Sequence, residues 1–223
     1  MTYNLKKSPV TFFFLAITVL VFLAMQVYYG SVASSPQAVF NFGGMLGLVV
    51  KAAPSQAWRL ITPIFVHIGW QHFFVNGLTL FYVGQLAEQV WGSKNFFLLY
   101  LLSGFMGNLL TLLVTPGVVA AGASTSLFGI FAALVVLGIF SRNHSLKAFG
   151  KTYLTLIILN LVMTVFMPNV SLVGHLGGVL GGALAAIFLT NQVDQALFSP
   201  RKRQVAFLIF GVLSLAILIV TFM

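Results

Sequence analysis

Cysteine is absent from this chain and acidic residues are nearly absent, with two carboxylates among 223 residues. The lack of cysteine excludes disulfides and thiolate metal sites. The two carboxylates are Glu88 and Asp194. An aspartyl-protease dyad needs two neighbouring acids, and a carboxylate-lined ion pathway usually needs several. The two carboxylates therefore argue against both classes of protein.

The chain is instead dominated by apolar residues. Hydrophobic residues make up 60% of it and charged residues 6%, with a mean hydropathy of +1.05. This composition predicts an all-α polytopic membrane protein and leaves no polar stretch long enough for a soluble domain. The net charge is +9, but the basic residues are scattered between apolar runs. That pattern argues against nucleic acid as a partner and favours membrane lipid.

Apolar runs long enough to be membrane spans need about 20 residues each. We place them at 10–29, 70–90, 95–114, 124–140, 151–167, 173–190 and 204–222. The first run has an alternative interpretation as a cleaved signal peptide, with Lys6 and Lys7 before it and Ser31-Val32-Ala33 as a small-residue cleavage site. Its length favours a retained span.

The positions of the basic residues predict the orientation. With a cytoplasmic N-terminus, nine of the 11 lysines and arginines fall on cytoplasmic segments, and only Lys51 and Arg59 fall outside. This is the bias that positively charged loops show in membrane proteins. The outer segment at about 30–69 contains an apolar piece, Val39 to Val50, that is too short to cross. We expect it to be interfacial or re-entrant.

Four polar residues lie at similar depth in this topology. Ser124 and His175 each begin a span that enters from the outside, and His72 and Asn76 lie in the first turns of another. The spacing of four residues puts His72 and Asn76 on one helix face. Polar side chains within spans are costly and mark functional sites. Taken singly, each could instead bond to its own backbone or hold two helices together.

The chemistry that these residues suggest is nucleophilic catalysis. A serine hydroxyl needs a base to take its proton, and imidazole suits that task. No carboxylate is predicted on the outer side, so Ser124 and His175 would act as a dyad. Phe128, one turn after Ser124, could pack on the imidazole and orient it in place of an acid.

A serine nucleophile also requires donors for an oxyanion and close approach of two helices. The backbone N–H of Ser124 at a helix N-terminus, His72 and Asn76 are candidate donors. Gly174, Gly178 and Gly182 repeat every four residues, and small residues at that spacing let helices approach closely.

Other reaction classes lack their motifs. There is no His-Glu-x-x-His motif for a zinc protease, and Gly122-x-Ser124-x-Ser126 is not the Gly-x-Ser-x-Gly elbow of soluble hydrolases. No phosphate loop or dinucleotide fingerprint is present. A metal site is disfavoured by the lack of outer carboxylates, so we expect no cofactor and no metal. A transporter gains no support, because no internal repeat is visible.

The ordered set of these motifs resembles the rhomboid intramembrane serine proteases. The likeness runs from about Phe40 to Gly182. The matching residues, in chain order, are Trp58, Arg59, His67, His72, Asn76, Glu88, Trp91, Gly92, Gly104, Gly107, Asn108, Gly122, Ser124, His175, Gly178 and Gly182. Each piece is weak alone, and their order is what makes the resemblance specific.

The resemblance implies a six-helix core with a recessed serine that cleaves transmembrane protein substrates within or beside a spanning helix. It implies Ser124 as the nucleophile, His175 as the general base and acid, and His72, Asn76 and the Ser124 N–H as the oxyanion hole. Arg59 and Glu88 match structural positions. The expected setting is a bacterial cell membrane, with the site toward the outer face.

Two residues depart from the family pattern. Thr125 follows the serine where relatives usually have glycine, and a β-branched residue there would crowd the approach to Ser124 or narrow the substrates. Phe128 stands where relatives often have tyrosine, which keeps a stacking ring but removes a phenol.

We therefore expect a rhomboid-like six-helix catalytic core over residues 1–190, including the outer loop at about 30–69. Residues 191–223 would add a cytoplasmic basic linker and a seventh transmembrane helix. The alternative function is a non-catalytic rhomboid-like binder of transmembrane helices. The sequence does not indicate an oligomeric state.

Overall fold

A computed structural model describes residues 8–166 and 170–223. Lys6 and Lys7, which contribute to the predicted orientation, and residue 167, the predicted end of the fifth span, lie outside the described residues. The helices are α1 Pro9–Tyr29, α2 Pro36–Asn41, α3 Gly47–Ala52, α4 Gly69–Thr79, α5 Gln85–Val114, α6 Ser124–Phe140, α7 His144–Phe166, α8 Leu172–Phe188 and α9 Pro200–Phe222. Two short strands, β1 Met45–Leu46 and β2 Val119–Ala120, and three 3₁₀ helices, Gly30–Val32, Pro54–Leu60 and Thr62–Phe65, lie between them.

Within the described residues, four segments are long and apolar enough to cross a membrane. They are Pro9–Val32, Gly69–Val114, His144–Phe166 and Pro200–Phe222. Helices α6 and α8 are shorter, with 17 residues each, which is near the lower limit for a span. The prediction of an all-α polytopic membrane protein is confirmed.

The predicted spans at 70–90 and 95–114 form one helical segment of 46 residues, Gly69–Val114. A five-residue π-helical turn, Leu80–Gly84, joins α4 to α5. A straight helix of this length would extend about 69 Å, more than twice the hydrocarbon thickness. Within α5, Gly92 has φ 73° and ψ 158°, a conformation that favours glycine and breaks the helix.

The break at Gly92 reverses the direction of the chain. Near the start of the segment, His72 lies against Gly122, and near its end Gly107 lies against Thr125. The middle of the segment instead reaches the first turn of α1, where Glu88 accepts hydrogen bonds. Both ends of the segment are therefore at the level of Ser124, and the turn is at the opposite end of the bundle.

Helix α1 is held at its N-terminus by Glu88. The carboxylate accepts hydrogen bonds from the backbone N–H groups of Val10 and Thr11, the Thr11 hydroxyl and the Ser93 hydroxyl. An anion at this end is favourable, because the first amides of a helix lack intrahelical partners and carry the positive end of the dipole. The buried Glu88 thus has a structural role, at the end of the bundle remote from Ser124.

The outer segment folds into short elements that reach the loop before Ser124. Strands β1 and β2 pair antiparallel, with Met45 opposite Ala120 and Leu46 opposite Val119. Arg59 is buried and donates to the backbone carbonyls of Phe40 and Gly44. The guanidinium also lies 4.2 Å from the centroid of the half-exposed Trp58 ring. Arg59 therefore ties this segment together and does not face the site.

Helices α5, α6 and α8 form the centre of the bundle, and α6 is buried along most of its length. Helix α9 packs on α8 and α5, where Phe210 and Ile217 join a cluster with Met106 and Leu109. Many apolar side chains of α7 and α9 face outward, as lipid contact requires. The division of the chain at residue 190 stays a prediction.

Candidate active site

Ser124 and His175 meet between the first turns of α6 and α8. The Ser124 hydroxyl oxygen is 3.0 Å from Nε2 of His175. His175 is 5% exposed, whereas Ser124 is half-buried and thus retains some access. Residues that are 51 positions apart in the sequence therefore form a hydroxyl–imidazole pair, the arrangement that a Ser–His nucleophile needs.

The loop before α6 sets the position of Ser124. Gly122 has φ 123°, which favours glycine, and its N–H donates to the carbonyl of Pro63. Helix α6 begins immediately afterwards, and the first intrahelical bond runs from Leu127 N–H to the Ala123 carbonyl. The amide of Ser124 is consequently among the first N–H groups that the helix leaves without an intrahelical acceptor.

Helix α8 begins with a side-chain cap that places His175 in its first turn. The Ser171 hydroxyl accepts from the Gly174 N–H at 2.9 Å. Such a cap satisfies one of the unpaired amides at a helix start. The same hydroxyl is 3.5 Å from Oγ1 of Thr111, which links the α8 cap to α5.

Glycines of α8 allow α6 and α8 to approach at backbone distance. A β-carbon on Gly178 would overlap the carbonyl oxygen of Thr125, and one on Gly182 would overlap that of Gly129. Helices that touch through small residues bring their side chains within hydrogen-bonding range. This contact is what makes the 3.0 Å distance between Ser124 and His175 possible.

Phe128 covers one face of the imidazole. Its ring is stacked on that of His175, with centroids 4.1 Å apart and an interplanar angle of 15°. Stacking restricts the tilt of the imidazole but leaves it free to turn within its own plane.

Thr164, a residue that no motif in the sequence points to, supplies a contact in that plane. Its Oγ1 lies 3.3 Å from Nδ1 of His175, and both residues are buried. The spacing of Tyr153, Ile157 and Thr164, four and seven residues apart, could have predicted that they share one face of α7. In the structure all three are buried. Nothing in that spacing points specifically to an imidazole.

His72 lies beside the loop that leads to Ser124. A β-carbon on Gly122 would be 2.7 Å from Nε2 of His72 and 3.7 Å from Oγ of Ser124. Nδ1 of His72 accepts the Ile68 N–H at 3.4 Å. In a neutral imidazole one nitrogen donates when the other accepts, so Nε2 carries the proton and is the donor on the side of Ser124.

Asn76 is buried, but its amide is turned along its own helix. Nδ2 donates to the carbonyl of His72 at 3.0 Å. One of the two N–H bonds of the Asn76 amide is therefore engaged, and the other is left as a donor.

His67 supports the loop that precedes Ser124 through a hydrogen bond to its backbone. Nε2 accepts the Ala123 N–H at 3.3 Å, and the imidazole centroid is 5.1 Å from that of His72. Burial, with a smaller effect of His72, lowers the pKa of His67 to about 3, so His67 is neutral near pH 7 and can keep this acceptor role. In residues 8–166 and 170–223, no three His, Asp or Glu side chains are grouped as metal ligands.

Thr125 does not point into the approach to Ser124. Its side chain packs on α5 and α8, where β-carbons on Gly107 and Gly174 would lie 2.7 Å from its Cβ and 3.3 Å from its Cγ2. The expectation that a β-branched residue would crowd the serine is therefore not what the structure shows. The glycines opposite Thr125 provide the space that its methyl group occupies.

The fold and the site define a polytopic membrane protein with a half-buried serine beside a buried histidine, a pair of the kind that serine hydrolases use. The family model described as Rhomboid domain matches residues 54–192. The chain belongs to the rhomboid family.

Several curated proteins are similar to the chain. The rhomboid protease GluP of Bacillus subtilis (strain 168) is 33% identical over 183 residues, which cover 82% of this chain and 35% of GluP. YdcA of the same strain is 29% identical over 86% of this chain and 94% of its own length. Rhomboid-like protease 3 of Toxoplasma gondii is 30% identical over 74% of this chain and 63% of its own length.

The predicted family is thus confirmed, and the names of the relatives agree with the predicted class of rhomboid-type serine protease. The aligned regions span about a third of the length of GluP and somewhat less than two thirds of that of the Toxoplasma relative.

Proposed function

We propose that this chain is an intramembrane serine endopeptidase that cleaves transmembrane segments of other proteins through an acyl-enzyme on Ser124. The observation that carries the proposal is the 3.0 Å contact between Ser124 Oγ and His175 Nε2 at the start of two closely packed helices. Membership of the rhomboid family and the protease names of GluP and the Toxoplasma relative support it.

In the first half of the proposed reaction, His175 Nε2 takes the hydroxyl proton while Ser124 Oγ bonds to the scissile carbonyl carbon. The carbonyl oxygen becomes an oxyanion, to which the Ser124 N–H and His72 Nε2–H can donate. When the intermediate collapses, the C–N bond breaks and His175 passes its proton to the leaving amine.

In the second half, water attacks the ester carbonyl while His175 Nε2 takes a proton from the water. The bond between the acyl carbon and Ser124 Oγ then breaks, and the proton returns from His175 to Ser124. Side chains and one amide of this chain fill every role, so the proposed reaction needs no cofactor.

The proposed substrate is a spanning helix that unwinds readily, cut near a small residue. An amide inside an intact helix is hydrogen-bonded and shielded by side chains, so it must leave the helix before Ser124 can attack it. In the proposed orientation, the N-terminus is cytoplasmic and the site is toward the outer face of a bacterial cell membrane.

Labelling with a fluorophosphonate probe tests the nucleophile. The purified full chain should form a covalent adduct, and peptide mapping should place that adduct on Ser124. Ser124→Ala and His175→Ala should each lose both the adduct and cleavage of a model transmembrane substrate, because the hydroxyl and the base act as one unit.

Thr125→Ala is the matched control, since it removes a neighbouring hydroxyl outside the pair. It should retain labelling and cleavage. Cleavage that persists in Ser124→Ala but disappears in Thr125→Ala would move the nucleophile to Thr125. A wild-type chain that neither labels nor cleaves would instead favour the non-catalytic binder of transmembrane helices.

A further inference from the structure

Thr164 of α7 makes two contacts through one hydroxyl group. Its Oγ1 donates to the carbonyl of Asn160 at 2.7 Å and lies 3.3 Å from Nδ1 of His175. Thr152 and Thr155 on the same helix also donate to carbonyls four residues earlier, but they are exposed. Only the Thr164 member of this set is buried and directed at His175.

The Thr164 hydroxyl has a single hydrogen, and this determines which atom is the donor in its contact with His175. A threonine hydroxyl has one hydrogen and two lone pairs. Since the hydrogen is donated to the Asn160 carbonyl, Oγ1 can only accept from His175, and Nδ1 of the imidazole must carry the proton.

This assignment leaves His175 in the form that a general base requires. A neutral imidazole with its proton on Nδ1 has a free lone pair on Nε2. Nε2 faces the Ser124 hydroxyl at 3.0 Å and can accept its proton. The opposite tautomer would donate from Nε2 to Ser124 and could not act as a base.

We infer that Thr164 is a positioning residue that holds His175 in its Nδ1–H tautomer and fixes the rotation of the ring in its plane. The inference rests on the proposed Ser124–His175 chemistry. Phe128 restrains the tilt of the same ring, so the two neighbours act on different motions. The hydroxyl occupies the place of the carboxylate in a Ser–His–Asp triad, but it orients the imidazole without adding charge.

Three variants of the full chain separate the hydroxyl from the bulk of the side chain. Thr164→Val keeps the shape and removes the hydroxyl, whereas Thr164→Ser keeps the hydroxyl and removes the methyl group. Thr155→Val is the matched control, because it removes an equivalent backbone-bonded hydroxyl from the exposed face of α7.

We expect Thr164→Val to lower kcat for a transmembrane substrate roughly 5- to 10-fold with little change in KM, the rate equivalent of one neutral hydrogen bond. Thr164→Ser and Thr155→Val should stay within about twofold of wild type, since neither removes that bond. A Thr164→Val variant with wild-type kcat would overturn the inference. Equal losses in Thr164→Val and Thr164→Ser would also overturn it, because the methyl group and not the hydroxyl would then matter.

Nitrogen-15 NMR of labelled histidine reads the tautomer directly and needs no catalysis. The His175 signals, assigned by their loss in His175→Gln, should show Nδ1–H in the wild-type chain and a growing Nε2–H fraction in Thr164→Val. An Nε2–H tautomer in the unsubstituted chain would overturn the inference even if Thr164→Val did not fold. Since this measurement does not depend on turnover, it also distinguishes failure of the inference from failure of the proposed protease activity.

Discussion

Three histidines around Ser124 differ in which nitrogen is the acceptor. His175 presents Nε2 to the serine hydroxyl, and His67 accepts the Ala123 N–H through Nε2. His72 accepts the Ile68 N–H through Nδ1, which leaves Nε2–H as a donor. In the proposed function, histidine would thus serve as base, loop support and oxyanion donor. The hydrogen-bond partner of each imidazole selects its tautomer, and that partner is the Thr164 hydroxyl for His175 and a backbone N–H for His67 and His72.

The proposed oxyanion role of His72 gives a prediction at the scale of single residues. His72→Ala should lower kcat by about 10²–10³-fold, the loss typical of one oxyanion donor, and His72→Asn should recover part of the rate because it restores a donor. Asn76→Ala should cost less, since one of the two N–H bonds of the Asn76 amide is already engaged with the His72 carbonyl. Steady-state kinetics on a transmembrane substrate measure both effects.

His144→Ala is the control, as His144 begins α7 at the end remote from Thr164. It should leave kcat unchanged. If His72→Ala and His144→Ala had the same kcat as wild type, the oxyanion donors would have to be sought elsewhere.

At the scale of elements, the contact between α6 and α8 sets the distance between Ser124 and His175. Gly182→Ala would force its β-carbon into the carbonyl oxygen of Gly129. We expect overpacking to destabilise the fold by about 1–3 kcal/mol. Displacement of α8 by about 1 Å should reduce kcat on the order of 10²-fold. Thermal unfolding and kinetics measure the two effects.

Gly211→Ala is the matched control, because a β-carbon on this α9 glycine meets no atom within 4 Å. Its unfolding temperature should equal or exceed that of wild type, since alanine is the better helix former. A Gly182→Ala chain as active and stable as Gly211→Ala would show that α6 and α8 do not need their backbone contact.

At the scale of the whole molecule, the two ends of the bundle differ in charge. Lys94, Arg142 and Lys147 lie at the end away from Ser124, together with the turn at Gly92 and the start of α7. Arg59 lies in the outer segment, where its guanidinium donates hydrogen bonds to backbone carbonyls. Positively charged loops stay on the cytoplasmic side, so the site should face outward.

The absence of native cysteine allows a direct test of that orientation. Ser145 and Val118 are both exposed and lie at opposite ends of the bundle. In intact cells, a membrane-impermeant maleimide should label Val118→Cys, whereas Ser145→Cys should react only after permeabilisation. The reverse pattern would invert the proposed topology.

The sequence predicted the helical class, most of the spans and the proximity of Ser124 and His175, because hydropathy and the order of motifs are properties of the chain itself. The catalytic role of the pair stays a prediction. Two helices begin earlier in the structure than the spans predicted from hydropathy. Helices α7 and α9 begin at His144 and Pro200, earlier than the predicted 151 and 204, because a helix can continue through charged residues once it has left the hydrocarbon.

Contacts between helices were decided only by the tertiary structure. Whether Thr164 reaches His175, and whether Thr125 points to Ser124 or to Gly107, depends on how the helices are rotated and how closely they approach. The glycine spacing of α8 predicted a close approach, but which helix approaches and how it is rotated depend on the packing around Gly178 and Gly182 and have no signature in the spacing of any one segment. The sequence alone therefore determined which groups were available, and the packing of α5 to α8 determined which of them touch.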